Sequence, residues 1–519
     1  MNTPRFSTAT SSPRAQRREW LGLAVIALPC MLYAMDLTVL NLALPRLSAD
    51  LKPTSAELLW IVDIYGFFVA AALITMGTLG DRIGRRRLLM VGAAAFGAAS
   101  AIAALATTPA QLIASRALLG LAGATVAPST LSLIRHMFHD EAQRTLAIAV
   151  WATSYSVGAA VGPLLGGIIL EHYSWQAVFL MAVPVMVVVL LAAPLVLPEY
   201  RDPHAGRLDI VSAVLSLVAV LSAIYGCKSI AQDGLSVLAV SAIGVGVAVG
   251  AVCVRRQRTL AHPMIDLALF KLRAFRTAVF INILACVAIF GAFILLAQYL
   301  QAVLGLTPAV AGMWTVPSAV AFVLGSMTTP WVAQRNSRRA VIVVSLLIAA
   351  GGCMAISIID ASRAFGPFIG AWFAFAFGIA PLFTLTTDMI VGAAPPEQAG
   401  AASAISETGS EFGGALGIAL LGSLATAVYR GEISDVASTL IGVPITAMQV
   451  ARDTVGGAIA AASQLPAPLG DALLHTARAA YTHAMHAAFT ISAAALLLTA
   501  VFAFVQIRTP DVGRTHTPS

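Results

Sequence analysis

Charge is what this chain lacks. Only 11% of its 519 residues are Asp, Glu, Lys or Arg, while 59% are hydrophobic; soluble domains carry roughly 25% charged residues. The shortage excludes an ordinary soluble domain. The five cysteines, Cys30, Cys227, Cys253, Cys286 and Cys353, stand singly in apolar stretches without CxxC spacing. They build neither a disulfide framework nor a zinc site, and no metal site is expected. Embedded HExxH, GxSxG and clustered-His patterns are missing too, so nothing points to an enzyme. There is no P-loop to bind a nucleotide. The first 19 residues are polar and Arg-containing, without a short apolar core followed by a small-residue cleavage site, so no cleaved signal peptide is read. Neither tail is long enough for a soluble output domain of the kind a receptor needs.

Long apolar runs are abundant. A helix needs about 20 apolar residues to cross about 30 Å of hydrocarbon, and we count 14 such runs between Trp20 and Ile507. The expected fold is all-α and polytopic. An even number of spans puts both termini on one side. With the N-terminus inside, 23 of the 31 Lys and Arg fall in the tails and inward loops, seven in the outward loops and one, Arg116, in the membrane. The densest clusters are Arg82 to Arg87, Arg255 to Arg276 and Arg335 to Arg339, all inward as the positive-inside bias requires. The net charge of +7 is therefore topology and not a nucleic-acid surface.

The runs group as six, two and six. The expected organisation is a cytoplasmic arm (1–19), a six-helix half (20–200), a two-helix insert with its linker (201–275), a second six-helix half (276–507) containing a long outward loop near 429–483, and a cytoplasmic tail (508–519). The outward loop is too broken by Pro444, Pro466 and Pro468 to span again; it reads as a solvent-exposed helical hairpin. A degraded copy of the loop around Asp81 to Arg87 recurs at Val332 to Arg339. A duplicated six-helix unit is the build of many transporters.

Acids inside apolar runs carry the chemical signal, because a charge at membrane depth is expensive and usually lines a polar pathway. Glu407 and Glu411 are spaced i,i+4, which stacks both carboxylates on one helical face. Desolvation and mutual repulsion favour keeping a proton there near neutral pH, and such groups titrate as a pair. Asp36 lies mid-span and Asp63 about one and a half turns into the second span. Asp388 sits about one turn from the inward end of its helix, where snorkelling is easy. Arg116 is placed either to compensate one of these acids or to bond backbone carbonyls. The pattern points to proton or cation handling. Tyr33, Trp60, Tyr65, Trp151 and Tyr155 lie near the acids in sequence and offer faces to a desolvated cation, whereas Trp20, Trp175 and Trp331 read as interface residues.

Three motifs resemble those of a known family. Gly77-Thr-Leu-Gly-Asp-Arg-Ile-Gly-Arg-Arg-Arg-Leu-Leu89, with Gly77, Asp81, Arg82, Gly84 and Arg85, resembles the loop 2-3 signature of the major facilitator superfamily. Leu112 to Ala124, containing Arg116, is similar to its fourth-helix signature. Ser156 to Gly167, with Gly158, Gly162, Pro163, Gly166 and Gly167, resembles the fifth-helix motif of its drug/proton antiporters. The glycines at four-residue spacing give a flat face for close helix approach. With Met35 to Pro45, Leu59 to Tyr65 and Leu131 to Arg135, the resemblance covers nearly the whole chain and is to the 14-helix drug:H+ antiporter family 2, in particular its QacA- and SmvA-like members.

That resemblance implies a major facilitator fold and a monomer in a bacterial inner membrane with both termini cytoplasmic. It also implies export of lipophilic cations such as quaternary ammonium compounds and dyes, driven by the proton gradient with no cofactor. It places functional acids at Asp36, Asp63, Glu407 and Glu411. A dedicated exporter of one antibiotic or metabolite is the alternative. QacA-like members also carry an acid in the tenth helix, and Pro317 to Leu324 here has none, so mainly monovalent cargo is expected.

Overall fold

The computed structural model describes residues 14–53, 55–201, 209–260, 263–264, 266–361, 364–436 and 443–507. The tail 508–519 and most of the arm 1–19 lie outside the described residues, as does the Pro163 side chain. The described residues form helices and connecting turns with no strand, and 14 of the helical stretches are long and apolar enough to cross a membrane. Spans 1 to 6 are Arg17–Leu40, Trp60–Ile83, Arg85–Ala104, Pro109–Met137, Glu141–His172 and Ala177–Val196. Spans 7 and 8 are Ile210–Ile230 and Val237–Gln257. Spans 9 to 14 are Arg273–Val303, Val310–Arg335, Arg338–Ile356, Phe365–Ala393, Pro396–Val436 and Ala467–Gln506.

Polar residues start these helices where hydropathy alone cannot. Thr108, Asp140, Ser236 and Ser337 each accept a backbone N–H of the following first turn, at the heads of spans 4, 5, 8 and 11. At span 7 the cap is Asp209, which also pairs with Arg256 from the end of span 8 at 2.8 Å. The Arg256 guanidinium and the Ser212 hydroxyl hold the Asp209 carboxyl well below the usual carboxylate range.

Two compact units result, one made of Met1–Leu208, Ser326–Arg335 and Thr387–Ala404, the other of Asp209–Gly325, Asn336–Thr386 and Ile405–Ser519. In the first unit, span 1 packs on span 5, span 2 on span 4 and span 3 on span 6. The span 1 to span 5 contact is made by the glycine ridge. A Cβ at Gly158 would strike the Met31 carbonyl, one at Gly162 the Thr38 hydroxyl, and one at Gly166 would come within 2.8 Å of Val39. Gly167 has nothing within 4 Å and plays no part in this contact.

In the second unit, spans 7 and 8 pack on each other, and span 14 packs on spans 9 and 11. Spans 7 and 8 leave Val214, Val218, Val240, Val245 and Val247 exposed, an apolar surface suited to lipid. The loop expected at 429–483 is shorter than its hydropathy suggests. Span 13 continues to Val436, span 14 begins at Ala467, and helices Ile445–Asp453 and Val455–Ala462 pack on each other between them. Tyr429 and His483 therefore lie within the ends of long helices, and the His483 ring meets the Glu432 carboxylate at 2.8 Å. The alanine-rich sequence keeps its helical propensity past the point where it stops being apolar.

Candidate functional site

In the first unit the site is organised by Arg116. A cation with 1% exposure must find its hydrogen bonds inside the protein, and Arg116 finds three kinds of partner. Its Nη1 donates to Asp36 Oδ2 at 2.9 Å, its Nε to the Ile61 carbonyl at 2.9 Å, and its Nη2 reaches the Val62 carbonyl at 3.5 Å. The guanidinium also lies over the Tyr65 ring, 5.0 Å from its centre. Both roles read from the sequence thus fall to the same side chain. Gly120 makes this possible: a Cβ there would lie 2.5 Å from the Tyr65 carbonyl, so only glycine lets spans 2 and 4 touch backbones. Asp63 is half-buried, one residue beyond the carbonyls that Arg116 takes.

Four of the five candidate aromatics gather here. Tyr33 lies 5.8 Å from Tyr65 and 5.7 Å from Tyr155, and Tyr155 lies 4.9 Å from Trp151. The Trp151 ring is fixed by its N–H donating to Thr130 Oγ1 at 3.0 Å. Trp60 is not brought in; it is 40% exposed and contacts Phe67. Trp175, expected at an interface, is buried and donates to Asp50 at 2.8 Å.

The basic end of the first unit carries the loop 2-3 motif. Asp81 and Arg85 form an ion pair one helical turn apart, with Arg85 fully buried. The guanidinium lies so close to Gly400 that no side chain fits at that position, and a Cβ at Gly77 would come within 2.7 Å of the Gly400 carbonyl oxygen. Gly84 has φ +111, a backbone that favours glycine. As N-cap of span 3 it offers no side chain, and Glu199 supplies the cap from the end of span 6, accepting from the Arg86 N–H at 3.2 Å. The Tyr200 carbonyl accepts from the Arg85 N–H at 3.0 Å. Pro198 to Pro203 looked like a boundary in the sequence; its first residues complete the motif.

Asp388 corrects the sequence reading. It does not snorkel: it has 0% exposure, and Arg144 Nε donates to its Oδ1 at 2.7 Å while the Thr145 hydroxyl donates to its Oδ2 at 3.2 Å. Arg135, near the end of span 4, reaches the Gly392 carbonyl at 3.5 Å. From the sequence, Arg135 entered only as the end of the matching stretch Leu131 to Arg135, and Arg144 only as a topology charge. The available signal was their position at the two sides of a short connection, each within a turn of a span.

In the second unit, Glu407 and Glu411 are both half-buried on span 13, and Glu411 is the charged group facing Glu407. Span 9 packs against this segment closely. A Cβ at Gly413 would lie 2.7 Å from the Ile283 carbonyl, and one at Gly291 2.6 Å from the Gly417 carbonyl. Asn282 of span 9 donates through Nδ2 to Ser410 Oγ at 2.9 Å and to Ser406 Oγ at 3.3 Å. None of Asn282, Ser406 and Ser410 was singled out from the sequence. No cluster of three or more His, Cys, Asp or Glu suited to a metal ion occurs among the described residues.

Buried carboxylates, an intramembrane arginine and small-residue helix contacts in a 14-span bundle define a membrane transporter of the major facilitator type. The sequence profile described as Major Facilitator Superfamily matches residues 26–270. The chain is 41% identical to the multidrug efflux pump LfrA of Mycolicibacterium smegmatis, covering 96% of this chain and 98% of that one. It is 36% identical to the methyl viologen resistance protein SmvA of Salmonella typhimurium, covering 93% and 97%. Among solved structures, the human organic anion transporter MFSD10 (TETRAN) shares the fold with a TM-score of 0.64 at 14% identity, covering 94% of this chain and 100% of that one. The chain belongs to the major facilitator superfamily. It is a multi-pass membrane drug efflux transporter of the kind that has 14 spans, and not an enzyme.

Proposed function

We propose that the protein exports lipophilic cations from the cytoplasm in exchange for protons, with both termini cytoplasmic. The observation that carries this reading is the set of half-buried carboxylates within the spans. Asp36 is held by Arg116, whose guanidinium lies over Tyr65, one ring of a four-ring cluster, and Glu407 shares its helical face with another acid, Glu411. A carboxylate in such surroundings is neutralised either by a proton or by a cationic cargo, and competition for the same charge is the minimum an antiporter requires. The aromatic faces around Tyr33 and Tyr155 suit a desolvated cation, worth up to about 2 kcal/mol or more each. Arg144, Thr145 and Asp388 form a buried latch that exchange of the transporter's states would have to open.

The name of one relative supports a cationic cargo: SmvA is a methyl viologen resistance protein, and methyl viologen is an organic cation with two charges. Monovalent cargo remains our expectation for this chain, since Pro317 to Leu324 holds no acid. The test is ethidium efflux from cells expressing the protein, with and without an uncoupler. Efflux that collapses with the uncoupler supports proton exchange, and efflux that persists would overturn it.

A further inference from the structure

Three helix ends meet at the basic end of the second unit. Span 9 starts at Arg273, span 11 starts at Arg338, and span 14, which packs on both, ends at Gln506. Arg273 Nη2 donates to the Val505 carbonyl at 3.3 Å, and the Arg339 guanidinium lies over the ring of the preceding residue, Phe504, 4.6 Å from its centre. The last turn of span 14 thus receives two arginines from two different helices. Arg276 follows one turn into span 9, on the face of Arg273, and is exposed.

This junction is short of negative charge. A helix start favours acids and disfavours bases, because its free N–H groups form the positive end of the helix dipole. Spans 9 and 11 have no acid in their first turns and carry two arginines each, Arg273 with Arg276 and Arg338 with Arg339. The cap position of span 9, Leu272, supplies no side-chain acceptor. Asp266, the acid before span 9 in the chain, caps the short helix Leu267–Lys271. Arg273, Arg276 and Arg339 form no ion pair among the described residues, and Arg273 Nε is buried without a partner. Topology accounts for the sign of this charge; it does not require two helix starts to converge on one helix end.

Apolar surface continues from the charge. Phe280, on the same face of span 9 as Arg273 and Arg276, packs on Phe502 of span 14 with ring centres 5.1 Å apart and is still 47% exposed. Leu498, Val501 and Val505 form an exposed stripe at helical spacing on span 14. We infer that this junction binds an anionic phospholipid, its phosphate answering Arg273, Arg276 and Arg339 and an acyl chain lying along Phe280 and the span 14 stripe. Guanidinium groups suit phosphate, and basic pockets between the ends of spanning helices hold lipid headgroups. A free phosphate would satisfy the charge and leave the apolar half uncovered. Bound there, the lipid ties the starts of spans 9 and 11 to the end of span 14.

The test uses the full-length protein, purified and delipidated in detergent, and reads thermal unfolding with phosphatidylglycerol, phosphatidylcholine or inorganic phosphate added. Phosphatidylglycerol should raise the midpoint by about 3 °C or more beyond phosphatidylcholine, as a ligand of the folded state does. Arg276→Gln and Arg339→Gln should each remove at least half of that gain. The Arg276 side chain makes no hydrogen bond or ion pair among the described residues, so its variant keeps the fold. Arg255→Gln combined with Arg258→Gln, which neutralises two exposed arginines at the end of span 8, should leave the gain intact. Equal gains from the two lipids, a full gain in both single variants, or an equal loss in the Arg255 and Arg258 variant would each overturn the inference. Phosphate alone giving the full gain would overturn the lipid in favour of a free anion.

Discussion

The Arg116 guanidinium and the Asp36 carboxylate meet at 2.9 Å across 80 residues of sequence, inside the helical bundle of the first unit. A buried pair of this kind contributes little net stability, yet removing one partner strands the other and costs about 3–5 kcal/mol. The pair therefore specifies an arrangement of spans 1 and 4.

Asp36→Asn should reduce active efflux to under a tenth of the parental rate at equal expression. The amide keeps the shape and still accepts from Arg116, but does not exchange a proton in this range. Ethidium efflux from energised cells measures it, and parental, pH-driven transport by the variant would contradict the assignment.

Neutralising either partner of the Arg144 and Asp388 pair should destabilise the protein by about 3–5 kcal/mol, because the remaining charge is buried and unpaired. Thermal unfolding in detergent should show the loss for Arg144→Gln and Asp388→Asn. The exchanged pair, Arg144→Asp with Asp388→Arg, should recover part of it. Equal loss in the exchanged pair would mean that Thr145 and the local packing matter more than the charges.

Gly158→Ala should cost about 1–3 kcal/mol by overpacking, since its Cβ has nowhere to go but into the Met31 carbonyl. Efflux should fall at least tenfold with it. Gly167→Ala has open space and should behave as the parent. Similar effects at both positions would show that the spacing acts in some other way than through contact with span 1.

A dication such as a bisguanidine should be exported more slowly than ethidium, and Phe322→Asp should narrow the gap. Phe322 packs near Phe383, with ring centres 6.5 Å apart, so an acid there replaces an apolar contact with a charge. Initial rates for both compounds in the parent, Phe322→Asp and Glu407→Gln decide it. If the parent exports both equally fast and Glu407→Gln alters neither rate, the missing acid and the role given to Glu407 are both wrong.

Hydropathy made the bundle legible. A span needs a run of apolar residues, and each of the 14 runs became a helix. It failed where a helix outlasts its apolar part, as at Ala467 to Met485, because helical hydrogen bonding does not require an apolar side chain. Acids were legible for the same reason that spans were: a carboxylate among leucines stands out. Their partners were not. Arg144 sits near a loop and looks like a topology charge until Asp388, 244 residues away, is brought beside it. Asn282 is a single amide in a long apolar helix, and only its contact with two serines gives it meaning.

The borrowed cap at the head of span 3 sets an order on synthesis. Glu199 lies 113 residues after Arg86, so at translation rates of about 5–20 residues per second the ribosome reaches it roughly 6 to 23 s later. Throughout that interval Arg86 and Arg87 stand without the acid that will pair with both of them, while Arg85 already has Asp81. Insertion of the first six helices is therefore a process with a late final clasp, and a truncation that ends before Glu199 would strand an otherwise complete set of helices in an unfinished state.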